Sequence, residues 1–154
     1  FPRMDSQMNI KHSASHRLRA GRWSATGQYY LVTTVTAGRK PIFSDFYLAR
    51  MLIQTIRQDA LKGFHKTLCY VVMPDHLHWL VELRQGTLSQ LVGRIKSLSA
   101  KRYGGRTWQK GFHDHALRKE EDVLGVARYI VANPIRAGLV TRVGDYPHWD
   151  AIWL

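Results

Sequence analysis

The stretch Leu68-Cys69-Tyr70-Val71-Val72-Met73-Pro74-Asp75-His76-Leu77-His78-Trp79-Leu80-Val81-Glu82-Leu83 decides how this chain folds. Residues 68–73 form an unbroken apolar run, the pattern of a buried strand. Pro74-Asp75 is turn chemistry. From residue 76 the pattern alternates, as a second strand requires: Leu77, Trp79, Val81 and Leu83 project to one face and His76 and His78 to the other.

Outward from this centre the elements follow in order. Residues 29–36 (Tyr-Tyr-Leu-Val-Thr-Thr-Val-Thr) are aromatic and β-branched and read as a strand. A turn at residues 38–41 leads to a helix capped by Ser44 or Asp45 and running to about residue 62, with Phe46, Ala49, Leu52, Ile53 and Ile56 on one stripe. After residue 83, Thr87 or Ser89 opens a helix carrying Leu88, Leu91, Val92, Ile95 and Leu98, which Gly104-Gly105 ends. A short strand is expected near residues 111–117. The acidic run Glu120-Glu121-Asp122 favours the start of a last helix, expected to reach Asn133, where Pro134 stops it. The order β-α-β-β-α-β plus a helix predicts an α+β fold: a ferredoxin-like split β-α-β antiparallel sheet with helices on one face and a further C-terminal helix. Residues 1–27, polar and basic, are expected to be an arm preceding a single domain of residues 28–154.

Composition narrows the function. Of 154 residues, 45% are hydrophobic and 22% charged, as in a globular domain. The single cysteine, Cys69, builds no disulfide framework and points to a reducing compartment. No apolar run approaches the roughly 18 residues of a membrane span, and no secretory leader is evident. The net charge of +12 is uneven: residues 1–40 carry seven Lys/Arg against one Asp, residues 84–119 nine against one, and residues 41–83 balance at four each. Two basic blocks around a neutral centre fit a nucleic-acid partner.

Three groupings carry the chemistry. On one strand face, His76 and His78 can either bind one metal ion or sit as two polar residues on a solvated sheet. A second pair, His113 and His115, lies beside Lys110 and Arg118 and is either a ligand pair or polar surface. In the last helix Tyr129 and Asn133 are four apart and share a face with Gly125. On spacing alone, that tyrosine is either an exposed reactive group or an amphipathic boundary residue, and Gly125 either a bare patch or a packing contact.

Four segments together resemble the REP-associated tyrosine transposases, a branch of the HUH single-tyrosine transposases: Gly27-Gln28-Tyr29-Tyr30-Leu31-Val32-Thr33, Met73-Pro74-Asp75-His76-Leu77-His78, residues 108–117, and Arg128-Tyr129-Ile130-Val131-Ala132-Asn133-Pro134-Ile135-Arg136-Ala137-Gly138. The resemblance covers nearly the whole chain. It implies that His76 and His78 bind a divalent metal, Mg2+ or Mn2+, completed by Asn133. It also implies that Tyr129 is the nucleophile on a catalytic C-terminal helix. The implied reaction is single-strand DNA cleavage and strand transfer at palindromic hairpins through a 5′-phosphotyrosine. Arg19 and Arg22, in the arm Leu18-Arg19-Ala20-Gly21-Arg22-Trp23, are implied to read the hairpin, although Trp23-Ser24 departs from the aromatic and His that often follow Gly-Arg in the family. Candidate phosphate contacts are Arg94, Lys96, Lys101 and Arg102 on the second helix, with Lys110, Arg118 and Arg136. The expected setting is the bacterial cytoplasm, associated with the nucleoid, and the expected state is a monomer acting with its own tyrosine, a dimer being the alternative. Two competing readings remain: a non-catalytic hairpin-binding module, or a metal-dependent nuclease that activates water and does not need Tyr129.

Overall fold

The computed structural model describes residues 24–118 and 123–153. The described residues build a five-stranded antiparallel sheet: β1 (Tyr29–Val35), β2 (His65–Met73), β3 (His76–Leu83), β4 (His113–Leu117) and β5 (Trp149–Ala151), in the order β4-β1-β3-β2-β5. Helices α1 (Phe46–Leu61) and α2 (Leu88–Tyr103) follow β1 and β3; α3 (Val123–Val131) and the single turn α4 (Asn133–Arg136) follow β4.

Local signals place the elements as expected. Asp45 caps α1, its carboxylate accepting from the amides of Tyr47 and Leu48 at 2.9 and 3.1 Å. Thr87 opens α2 with a reciprocal capping box to Gln90. Gly104, at φ 88°, closes α2 in the left-handed region where a side chain would be strained. Pro74 and Asp75 connect β2 to β3, with Met73 paired to His76.

Each sheet face has its own core. Leu77, Trp79, Val81 and Leu83 of β3 pack with Tyr30, Val32, Tyr70 and Val72 against α1 and α2. On the opposite face Leu31, Cys69, Val71, Met73 and Leu80 pack against Val126, Ala127 and Ile130 of α3. The two long helices thus share one face, as the pattern predicts, and α3 covers the other. That second face is the one from which His76 and His78 project, so the last helix lands beside the imidazoles.

Two elements differ from expectation. Pro134 does not stop the chain's helical course: α3 ends at Val131, and a further turn carries Pro134 in its first positions, where a missing amide proton costs nothing. The amide of Arg136 still reaches Ala132 O at 3.1 Å. Beyond residue 138 the chain returns to the sheet, and β5 pairs with β2 through Cys69–Ala151, Tyr70–Asp150 and Val71–Trp149. Three residues among irregular backbone give no periodic signal.

Candidate functional site

The site is built on the second sheet face. Register sets Val35 beside His76 and Thr33 beside His78 on the neighbouring strand. Each imidazole is held through Nδ1: His76 bonds Asp75 Oδ1 at 2.7 Å and His78 bonds Thr33 Oγ1 at 2.8 Å. With Nδ1 as the donor, each ring directs its Nε2 lone pair the other way, the arrangement common around metal-ligating histidines. The two ring centroids are 4.7 Å apart.

Asp75 is itself anchored. Its second oxygen meets Arg39 at 3.3 Å, and its backbone carbonyl accepts from the amide and hydroxyl of Thr36 at 2.9 and 3.1 Å. Partial burial raises the Asp75 carboxyl, but the His76 bond and charge and the Arg39 guanidinium outweigh it and hold it below the usual carboxylate range.

The helix after the sheet completes the constellation. The Asn133 amide lies 3.4 Å from His76 Nε2. Turned over about its Cβ–Cγ bond, the same amide presents its oxygen to that point. Tyr129 sits one turn earlier, half-buried, with the Arg136 guanidinium stacked 3.7 Å over its ring. Sequence spacing gave Tyr129 and Asn133 a common helical face; the fold brings the Asn133 end of it to His76. Gly125 is buried and is not a bare surface patch.

Among the described residues no three His, Cys, Asp or Glu gather as a metal cluster. A divalent ion here would therefore rely on two imidazoles and the Asn133 amide oxygen. That mixed nitrogen–oxygen set suits Mn2+ at least as well as Mg2+, which prefers oxygen alone.

The other predicted residues distribute differently. His113 faces the same side as His78, with Thr33 between them, and His115 follows two residues on. The basic residues of α2 lie across the sheet from the imidazoles. Arg94 is held by Asp59 at 2.8 Å and covers the Phe64 ring at 4.0 Å. Lys96 donates to the carbonyls of Gln109 (2.8 Å) and Gly111, and burial pulls its ammonium down to about 8. Internal partners thus account for both charges. Arg102 bonds Gln54 and Thr55, while Lys101, Lys110 and Arg118 are exposed. Arg19 and Arg22, like most of the expected arm, lie outside the described residues. Ser24 and Ala25, at its end, bond Leu88 and Tyr30 of the domain. Thr33, Asp75 and Arg39, the groups that orient the imidazoles, were not singled out by sequence reasoning. Asp75 was legible beside His76, but Thr33 and Arg39 become partners only through strand pairing and a distant turn.

Comparison with known proteins agrees over most of the chain. Residues 24–133 match the family model described as transposase IS200 like. A REP-associated tyrosine transposase of Escherichia coli (strain K12) is 33% identical over 133 residues, covering 84% of this chain and 76% of that protein. A putative REP-associated tyrosine transposase of Haemophilus influenzae is 26% identical over 139 residues, covering 79% and 78%. A solved structure of a REP-associated tyrosine transposase bound to a REP hairpin superposes with a TM-score of 0.73 at 26% identity, over 83% of this chain and 79% of that one. A putative transposase from Deinococcus radiodurans shares the fold at a TM-score of 0.52 and 22% identity, over 73% and 95% of the two chains.

Proposed function

The chain belongs to the IS200-like transposases, in their REP-associated tyrosine transposase branch, and from that premise we propose that it cleaves and transfers single-stranded DNA at palindromic hairpins with Tyr129 as nucleophile. The observation that carries this reading is the meeting of Asn133 with His76. It supports the placement of Tyr129, one turn earlier in the chain, on the same side as the histidine pair of its own chain.

The reaction follows from the groups present. The Tyr129 hydroxyl loses its proton and its oxygen attacks the scissile phosphorus in line. A tyrosyl–phosphate bond to the 5′ side forms as the bond to the 3′ oxygen breaks, and that oxygen leaves as a hydroxyl on taking up a proton. The phosphodiester energy is retained, so a 3′-hydroxyl from another strand end can reverse the step onto itself. Arg136 holds the tyrosine ring by its face and adds positive charge near the phosphate. His76, His78 and Asn133 would hold Mg2+ or Mn2+, whose contribution when bound is to neutralise charge on the non-bridging phosphate oxygens. Asp75 and Thr33 keep both imidazoles in register for that role.

The basic arm of residues 1–27, with Arg19 and Arg22, is proposed to contact the hairpin ahead of the domain of residues 28–154. Lys101, Arg102, Lys110, Arg118 and Arg136 are the exposed candidates for phosphate contact. No described helix is long and apolar enough to cross a membrane; the proposed place of action is the bacterial nucleoid.

The test is a labelled single-stranded substrate carrying a palindromic hairpin, incubated with Mn2+ or Mg2+. A covalent protein–DNA adduct that disappears with Tyr129→Phe and with chelator is the expected result. Cleavage that persists in Tyr129→Phe without an adduct would replace this reading with a water-using nuclease. Tight binding without cleavage would reduce the chain to a hairpin-binding module.

A further inference from the structure

A strongly cationic concave surface lies away from the histidine pair. It runs along α1 and into the space between that helix and strands β2 and β5. Two cavities open there side by side, of about 480 and 390 Å3, and they share Ile53 and Arg57 as a common wall. Five cations line them: Arg50, Arg57, Lys66, Arg84 and Arg102. The carboxylate among the lining residues is Asp150. Glu82, nearby, pairs with Arg84 at 3.2 Å. Among the described residues, the hydrogen-bond acceptors of Arg50 and Arg102 are neutral: the Pro147 carbonyl and the side chains of Gln54 and Thr55.

The helix itself lays out the track. Tyr47, Arg50, Gln54, Arg57 and Leu61 fall at three- and four-residue steps and are all exposed. The 14 residue steps from Tyr47 to Leu61 span about 21 Å of axis. Tyr47 is 80% exposed and Leu61 81%, an unusual degree for large apolar side chains on an ordered helix. Phe46 stands edge-on to Tyr47 at 5.8 Å and braces the ring. A row of cations with an exposed aromatic at one end suits a single strand held without reading its sequence: phosphates meet the cations and a base stacks on the ring.

We propose that this groove binds a single-stranded segment of the nucleic-acid substrate that lies outside the reacting portion. Arg50, Arg57, Lys66, Arg84 and Arg102 take its phosphates, and Tyr47 stacks on a base. The identity of the strand rests on the functional reading above; the groove's charge and shape do not. Because α1 packs on the sheet face away from His76 and His78, a strand here contributes affinity and direction rather than chemistry.

The test uses the intact chain and a fluorescein-labelled thymidine oligomer of roughly 16 nucleotides, followed by fluorescence anisotropy at several salt concentrations. The double variant Arg50→Glu/Arg57→Glu is compared with Arg106→Glu/Arg142→Glu, which changes the net charge equally at exposed positions away from the groove. The first is expected to weaken binding about tenfold or more and to flatten the salt dependence by roughly 1.4 in log–log slope, about 0.7 per lost phosphate contact. The control is expected to change affinity by less than about threefold, as a general field effect. Tyr47→Ala should weaken binding while leaving the salt slope unchanged, since stacking releases no counterions. Equal loss in both charge variants, or no loss in Arg50→Glu/Arg57→Glu, overturns the groove as a strand site. Adduct formation by the wild type is measured in parallel on a hairpin whose single-stranded flank is just long enough to carry the scissile phosphate. Absence of any adduct in wild type counts against the catalytic reading, whereas the anisotropy series decides the groove on its own.

Discussion

His76 and His78 are ordinary histidines made specific by what holds their far nitrogens. A rotating imidazole would spend most of its time pointing elsewhere; the bonds to Asp75 and Thr33 remove that freedom. Thr33→Val keeps the shape and deletes the hydroxyl, so Mn2+ affinity measured by calorimetry should fall roughly 10–100-fold. Unchanged affinity would mean that Thr33 does not orient a ligand. Arg136→Met removes the cation over the Tyr129 ring. Adduct formation should slow about 2–5-fold, matching the roughly 0.5–1 kcal/mol of an exposed cation–π contact, with melting temperature unchanged. Cys69 is the opposite kind of residue. Burial, with Asp150 adding to it, pushes its thiol up to about 12, so it is a packing group and not a reactive one. The pair of imidazoles was legible because strand alternation is a local rule. Their orienting partners were not, since Thr33 reaches His78 across 45 residues of sequence.

At the scale of elements, one buried cluster ties α1, β2 and α2 together. Asp59 of α1 bonds His65 of β2 at 2.8 Å and Arg94 of α2 at 2.8 Å, and His65 passes the network on to Thr67 and Trp79. Burial raises the Asp59 carboxyl, yet the bonds and charges of His65 and Arg94 prevail and leave it below its usual 3.8. A carboxylate lowered in the folded state stabilises it fully above the unfolded value. That contribution disappears as pH falls through the lower folded value. Denaturation midpoints should therefore drop below about pH 4 in wild type and drop less in Asp59→Asn. At neutral pH Asp59→Ala should cost roughly 3 kcal/mol, because it strands Arg94 and His65. The α1 cap is a separate and smaller device: Asp45→Ala should cost about 1 kcal/mol, read by thermal melting. The stripes and, to within a pair of residues, the caps were readable in sequence, since both follow from spacing within one helix; Phe46 and Leu98, at the ends of their stripes, are exposed instead. The commitment of Arg94 and Lys96 to internal partners was not, because an amphipathic pattern does not distinguish a solvated cation from one folded back onto a neighbour.

For the whole molecule, the sheet acts as a partition. Its second face carries the histidine pair and the tyrosine helix; its first face carries α1, α2 and the cationic groove. Asn133 meets His76 of the same chain, so we expect Tyr129 to act on the site of its own chain. Mixing Tyr129→Phe chains with His76→Ala/His78→Ala chains should then restore no adduct. Recovery of adduct on mixing would establish exchange of helices between two copies. The net charge of +12 adds a long-range attraction that falls steeply with salt, so any affinity for DNA has to be measured as a function of ionic strength.

The sequence by itself determined the hairpin of β2 and β3, the faces of β3, the starts of α1 and α2 to within a pair of capping residues, and the likeness of its motifs to a transposase family. These depend on the two- and 3.6-residue periods and on short-range chemistry. Only the tertiary structure decided which face α3 covers, where β5 joins the sheet, which cations are spent inside the fold, and that the groove along α1 lies apart from the histidines. Those outcomes depend on contacts between residues tens of positions apart. A chain of local propensities does not specify which buried surface each element finally meets.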